Sequence, residues 1–189
     1  MLAFSSYLIL GCFAVFLLFW MVSAAFTKRT VQKVGRGRGF WILPIGGVLL
    51  IVLRLLHVPL FQHRALWPRT DIVLLLADMT ALAGLLVTLW ARVTLGANWS
   101  SNVTLKENHE LIERGPYAYV RHPIYTGILL LILGAMIFDG SLSAILFLLF
   151  CMIGYWSKLK NEEKLMLEHF PDEYPKYKTR TKTLVPFLF

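Results

Sequence analysis

The chain has 189 residues, 57% of them hydrophobic and only 16% charged, with a mean hydropathy of +0.63. That composition excludes a soluble globular domain of this length, because too little polar chain remains to cover the apolar runs. The formal net charge of +8 raises nucleic acid as a partner. The cations sit in the connections between apolar runs, however, so a lipid bilayer is the expected partner and nucleic acid is not.

The first run, Leu2 to Phe26, is uncharged and long enough to cross a hydrocarbon layer of roughly 30 Å. No basic residue precedes it and it exceeds a signal-peptide core, so it reads as a retained anchor. The loop after it carries Lys28, Arg29, Lys33, Arg36 and Arg38. Its "GRGRG" (35–39) lacks the preceding strand of a nucleotide fingerprint and reads as a basic turn. A second span is expected from Phe40 to about Leu56, and a third from Ile72 to Trp90. A rise of about 1.5 Å per residue puts Arg54 of the second and Asp78 of the third at similar depth, which predicts an ion pair between them. His57 and His63 lack helical ligand spacing and acidic partners, so no metal site is expected. The fourth and fifth spans, Ile124 to Phe138 and Leu142 to Trp156, are joined by Asp139-Gly140-Ser141, the signature of a tight helical hairpin. Cys12 and Cys151 lie inside apolar runs and read as small packing residues.

Of the 19 Lys and Arg residues, sixteen fall in the first loop, the segment after the third span and the tail. Arg54, Arg64 and Arg69 are on the other side. This bias predicts a multi-pass protein with its N-terminus outside and its C-terminus in the cytoplasm, where the polar segments 91–123 and 157–189 also lie. The expected fold is all-α and integral to the membrane, with about five transmembrane helices. Residues 1–94 hold the first three and the basic loop; residues 95–189 hold a cytoplasmic loop, the helical hairpin and a cytoplasmic tail.

Chemistry belongs in the two cytoplasmic segments. Pro123 suits the first turn of the fourth helix, where its missing N–H costs nothing. Arg121 and His122 then flank a helix N-terminus, an arrangement that binds anions, although Arg121 also suits simple anchoring at the membrane face. Tyr125 lies on the same face as His122. If the fifth helix continues beyond the membrane, Lys158 and Glu162 share a face one turn apart, with Glu163 beside them. They form either a solvated ion pair or the second half of a site. Pro171 ends that helix, and the tail is expected to return along the membrane surface. One ligand meeting both halves is zwitterionic: a carboxylate at Arg121 and His122, a hydroxyl or ammonium at Glu162, and a cation facing the rings of Trp99, Tyr117, Tyr119 and Tyr125. S-adenosylmethionine has all of these groups.

The stretches "LGANWSSNVTLKENHELIERGPYAYVRHPIYTG" and "NEEKLMLEHFPDEYPKYKTRTKTLVPF" resemble the isoprenylcysteine carboxyl methyltransferase family, within a wider membrane group that includes phospholipid methyltransferases. The resemblance covers about residues 95–187. It implies S-adenosylmethionine in a cytoplasmic pocket formed by the C-terminal half. By position the contacts would be Thr104; His109, Glu110, Leu111 and Ile112 of "HELI"; Tyr117; His122, Pro123, Ile124 and Tyr125 of "HPIY"; and Glu162. Where the family has an arginine four residues before the glutamate matching Glu162, this chain has Lys158, which keeps the charge but not the bidentate fork.

The expected reaction is methyl transfer to a lipophilic acceptor, such as the carboxylate of a prenylated cysteine. A carboxylate needs orientation by a cation, for which Lys158 or Arg180 is placed; an amine or thiol needs a base, for which Glu163 or His122 is nearest. A membrane reductase of the sterol type using NADPH and a non-enzymatic scaffold are the alternatives. The acceptor and the oligomeric state are not legible in the sequence.

Overall fold

A computed structural model of the chain describes residues 1–33, 65–99, 104–106 and 110–185. The expected second span, with Arg54, His57, His63 and also His109, lies outside these residues.

Helix α1, Leu2–Ala24, contains no charged residue and buries Ser5, Ile9 and Cys12, which recur at helical spacing on one face. Helix α2, Asp71–Leu95, starts where the Thr70 hydroxyl accepts from the Val73 N–H at 3.3 Å and has Asp71 in its first turn and Arg92 in its last. Helix α3, Pro123–Asp139, begins on the proline as expected, and helix α4, Leu142–His169, runs 28 residues. Between α3 and α4, Gly140 adopts the left-handed conformation (φ 69°) and returns its N–H to the Met136 carbonyl, while Ser141 caps α4 through the Ala144 N–H. This is the hairpin that Asp139-Gly140-Ser141 predicts. A short helix α5, Glu173–Arg180, follows.

Three helices among the described residues are long and apolar enough to cross a membrane, and α3 is a shorter apolar one. The chain is an all-α, multi-pass integral membrane protein. Helix α4 is about 42 Å long, more than the roughly 30 Å of a hydrocarbon layer, so its last turns, from about Glu162 to His169, project beyond it.

Helices α2 and α3 pack most closely. A Cβ on Gly84 would meet the Leu131 nitrogen at 2.3 Å, one on Gly127 the Thr88 hydroxyl at 2.2 Å, and one on Gly134 the Ala81 nitrogen at 2.6 Å. Small residues let the two backbones approach where the bilayer offers no hydrophobic drive for association. Helix α1 lies parallel to α2: Ser5 donates to Asp78 at 2.8 Å near one end, and Arg92 donates to the Ser23 carbonyl at 2.6 Å near the other. The membrane-buried carboxylate of Asp78 thus meets a serine on α1, and its second oxygen has no partner among the described residues.

The two ends of the bundle differ. At one, Trp67 and Arg69 donate to the last carbonyls of α3, from Ile137 to Asp139, and Leu66 bonds to Gly140. At the other, a two-stranded antiparallel ribbon pairs β1, Thr30–Lys33, with β2, Thr104–Lys106, through a register shift between Thr30 and Gln32. The described chain stops at Lys33 near the end of α2 and resumes at Ala65 near its start.

Candidate functional site

The end of the bundle carrying the ribbon holds a cavity of about 380 Å³. Its walls come from every helix: Phe16 and Trp20 of α1, Leu95 of α2, Ile124, Tyr125 and Ile128 of α3, Tyr155, Lys158, Glu162, Leu165 and Met166 of α4, and Tyr174 and Tyr177 of α5. Asn98, Trp99, Glu110, Leu111, Ile112, Tyr117, Arg121 and His122 complete it from the connecting segments.

The centre is built from two helices meeting head to tail. Tyr125 donates to Glu162 Oε1 at 2.5 Å, and its ring stacks between His122 (centroids 5.6 Å apart) and Tyr155 (4.9 Å). Lys158 Nζ lies 3.9 Å from Glu162 Oε1 and 5.3 Å from the centre of the Tyr125 ring. His122 contacts both neighbouring carboxylates, Nδ1 at 3.6 Å from Glu162 and Nε2 at 3.5 Å from Glu163. Nε2 makes no hydrogen bond of good geometry there.

Glu162 and Glu163, adjacent in sequence, face different surroundings. Glu162 faces the cavity. Glu163 accepts from Arg121 Nε at 2.7 Å and from Lys178 Nζ at 2.8 Å, so it ties the segment before α3 to α5. Arg121 spends its other nitrogens on the Thr181 carbonyl (2.6 Å) and the Thr183 hydroxyl (2.7 Å). Main-chain bonds from Arg121 to Lys182 and from His122 to Thr183 lay the tail beside this segment.

These contacts set the electrostatics of the part of α4 that projects beyond the membrane. Burial opposes ionisation of both glutamates, yet both are held below the ordinary carboxylate range. For Glu162 the adjacent imidazole of His122 and the Lys158 charge outweigh burial; for Glu163 the imidazole and the bonds from Lys178 and Arg121 do so. Burial disfavours the imidazolium of His122, but the two carboxylates prevail and its pKa is raised.

Of the sequence-predicted cofactor contacts, Glu110, Leu111, Ile112, Tyr117, Arg121, His122, Ile124, Tyr125 and Glu162 line this one cavity, as does Lys158. Pro123 is buried behind it at the start of α3. Thr104 sits in strand β2, and His109 lies outside the described residues. Arg121 has its three guanidinium nitrogens on Glu163 and the tail, rather than free at the helix N-terminus as its position in the sequence suggests. Glu163 and Arg180 are not part of the lining: the first serves Arg121 and Lys178, and the second pairs with Glu113. Tyr119 is exposed. The tail does not simply follow the membrane surface, because Tyr174 and Tyr177 are buried and Tyr177 donates to the Tyr117 carbonyl at 2.7 Å.

Sequence reasoning missed Phe16, Trp20, Leu95, Asn98, Ile128, Tyr155, Leu165, Met166, Tyr174 and Tyr177. Helical spacing back from Glu162 through Lys158 to Tyr155, and forward to Leu165 and Met166, carries a signal for one face. Nothing in the uncharged first helix marks Phe16 or Trp20.

The donor set fits a zwitterionic, ring-bearing ligand. Asn98 Oδ1 and His122 Nε2 are buried at the cavity with no hydrogen-bond partner among the described residues, and such atoms need an external partner. Glu162 offers an anion and Lys158 a cation across a mostly apolar, aromatic lining, the pattern of small-molecule sites. Among the described residues no group of three His, Cys, Asp or Glu is placed to hold a metal ion.

The chain resembles known proteins in fold and in sequence. A solved structure titled as the eukaryotic intramembrane Ras methyltransferase, isoprenylcysteine carboxyl methyltransferase, superposes with a TM-score of 0.53 at 21% identity, over 78% of this chain and 51% of that one. Protein-S-isoprenylcysteine O-methyltransferase of Schizosaccharomyces pombe is 33% identical over 101 residues, 52% of this chain and 43% of that protein. The nickel-cobalt-cadmium resistance protein NccN of Alcaligenes xylosoxydans xylosoxydans is 30% identical over 145 residues, 75% of this chain and 64% of its own. The chain spans about half the length of the curated relatives it matches. The family model of the isoprenylcysteine carboxyl methyltransferase (ICMT) family matches residues 74–168, half of the chain and most of the cavity-forming segments, and the chain belongs to that family.

Proposed function

We propose that the protein is a membrane methyltransferase that takes S-adenosylmethionine into this cavity and methylates a lipophilic acceptor. The observation that carries the reading is the convergence of His122, Tyr125, Lys158 and Glu162 on one aromatic-walled cavity at the end of the bundle. Family membership favours it over a nicotinamide-dependent reductase or a scaffold.

When bound, S-adenosylmethionine supplies an electrophilic methyl group on a positively charged sulfur. The protein's own residues bind and orient. Glu162, held ionised by His122 and Lys158 and aimed by the Tyr125 hydroxyl, accepts hydrogen bonds from ribose hydroxyls or an ammonium. The aromatic lining excludes water, and the face of Tyr155 turned away from Tyr125 favours a cation. The unpartnered Asn98 Oδ1 takes a donor on the ligand. Lys158 holds an anionic acceptor, and a carboxylate acceptor needs no general base at neutral pH. Its ammonium gives charge without the fork of a guanidinium, so it orients a carboxylate less tightly.

Arg121 and Glu163 work as positioning residues that fasten the tail over the cavity. Residues 95–189 carry most of this site, with Phe16 and Trp20 of α1 closing one wall, and the cation distribution supports a cytoplasmic mouth with the N-terminus outside. The acceptor's apolar part meets Ile128, Phe16 and Trp20, deeper in the bundle than the charged mouth.

The test is transfer of a radiolabelled methyl group from S-adenosylmethionine to N-acetyl-S-farnesylcysteine by the purified protein in lipid nanodiscs. Base-labile label in the acceptor, lost with Glu162→Gln, is the expected result. No transfer to this acceptor or to a membrane lipid extract, by protein that binds S-adenosylmethionine, would contradict the reading.

A further inference from the structure

The cavity wall formed by α1 lies outside the 74–168 match. We propose that Arg92 is a positioning residue that sets this wall by fixing the indole of Trp99 and, against it, Trp20.

Arg92 lies in the last turn of α2 and is 3% exposed. A cation serving only the helix dipole or the inner membrane face reaches water, as long basic side chains do. Arg92 instead bridges two elements. Its NH1 donates to the Gly96 carbonyl at 2.7 Å and its NH2 to the Ser23 carbonyl near the end of α1 at 2.6 Å. The planar group lies 4.7 Å from the centre of the Trp99 ring. Trp99 and Trp20 form a T-shaped pair at 5.2 Å and 83°, and Trp20 packs on Phe16 at 5.0 Å. Phe16, Trp20 and Trp99 all line the cavity.

The chain around Trp99 makes such a brace necessary. Gly96 has a positive φ of 57°, and only one turn of 3-10 helix, Gly96–Asn98, separates α2 from Trp99. The Trp99 N–H reaches the Gly96 carbonyl at 3.3 Å, a long bond, and the Lys28 N–H on the chain leaving α1 bonds to Ala97 at 2.9 Å. A short turn leaves an indole free to rotate. A desolvated guanidinium over its face removes that freedom, and the same guanidinium anchors α1, so helix and ring move as one body. Lysine at this place would supply the charge without the two-carbonyl geometry.

The ligand half of the test rests on S-adenosylmethionine binding; the other half needs no ligand. The protein labelled with 5-fluorotryptophan gives one fluorine resonance for each of its six tryptophans. Those of Trp99 and Trp20 are assigned with Trp99→Leu and Trp20→Phe. Arg92→Gln is expected to move or broaden these two and leave the other four in place. In titrations with S-adenosylmethionine, Arg92→Gln and Trp99→Leu each lose about tenfold in affinity. The double variant loses no more than about threefold beyond the weaker single, because both remove one device. Where Arg92→Gln does not fold, Arg92→Lys serves, with a smaller displacement of the same two resonances. An unmoved Trp99 resonance, or losses that multiply in the double variant, overturns the proposal. Wild-type protein that binds no S-adenosylmethionine refutes the cofactor reading, and the fluorine spectra still decide the role of Arg92.

Discussion

The hydroxyl of Tyr125, in the first turn of α3, donates at 2.5 Å to Glu162 on the projecting part of α4, beside the Arg121–Glu163 bond that joins the same two segments. Bonds to a carboxylate contribute about 1.5 to 3 kcal/mol, more than most neutral ones. Tyr125→Phe deletes the hydroxyl and keeps the stack with His122 and Tyr155. The expected result is roughly tenfold weaker binding of S-adenosylmethionine with a small change in melting temperature, measured by calorimetry and by thermal unfolding in detergent.

Glu163 is the hub that fastens the tail, and its removal leaves the buried guanidinium of Arg121 without a counter-charge. Breaking such a pair costs about 3 to 5 kcal/mol. Glu163→Ala should lower the melting temperature and make the chain beyond Phe170 sensitive to protease. Lys178→Ala should do less, since its side chain is 35% exposed. Equal protease resistance in Glu163→Ala and wild type would rule out the fastening role.

The pH dependence has two limbs of opposite origin. Glu162 and Glu163 have lowered pKa values, so their contribution is present above about 4.5, the ordinary value, and is lost as the pH falls through their folded values. His122 has a raised pKa, so its contribution is complete below 6.5, its ordinary value, and disappears as the pH rises through the folded one. Stability from this cluster is therefore greatest between these ordinary values. Melting temperatures recorded from about pH 4 to about pH 9 should show the alkaline decline in wild type and a flatter alkaline limb in His122→Gln.

The α2–α3 contact leaves no room for a methyl group at Gly127, whose Cβ would lie 2.2 Å from Thr88 Oγ1 and 2.6 Å from the Thr88 nitrogen. Gly127→Ala forces backbone to shift and should cost about 1 to 3 kcal/mol or prevent folding. Gly11→Ala, with nothing within 4 Å, is the neutral control. Expression level and monodispersity in detergent distinguish the two.

Much of this was legible because local chemistry decides it. The Asp139-Gly140-Ser141 hairpin and Pro123 at a helix start are consequences of backbone geometry, and they appear where the residues predict. Lys158 and Glu162 fall together because helical spacing puts them there. What escaped is set by partners far away in the chain. The β1–β2 ribbon joins residues more than seventy positions apart. Helix α5 contains Pro175 and reads as a tail, yet Tyr174 and Tyr177 find a buried place against Tyr117. Arg121 reads as an anion binder at a helix N-terminus, and Glu163 and the tail take that role from outside its own segment. Asp78 finds Ser5 on α1, while Arg54, its expected counter-charge, lies outside the described residues.

The central claim, that this cavity takes a methyl donor, is tested most directly by titrating S-adenosylmethionine into the purified, detergent-solubilised protein in a calorimeter, with NADPH in parallel. Micromolar, one-to-one binding of S-adenosylmethionine, lost in Glu162→Gln and His122→Ala, with no heat from NADPH, is the expected result. Folded protein that binds NADPH, or that binds S-adenosylmethionine equally well without Glu162 and His122, would contradict it.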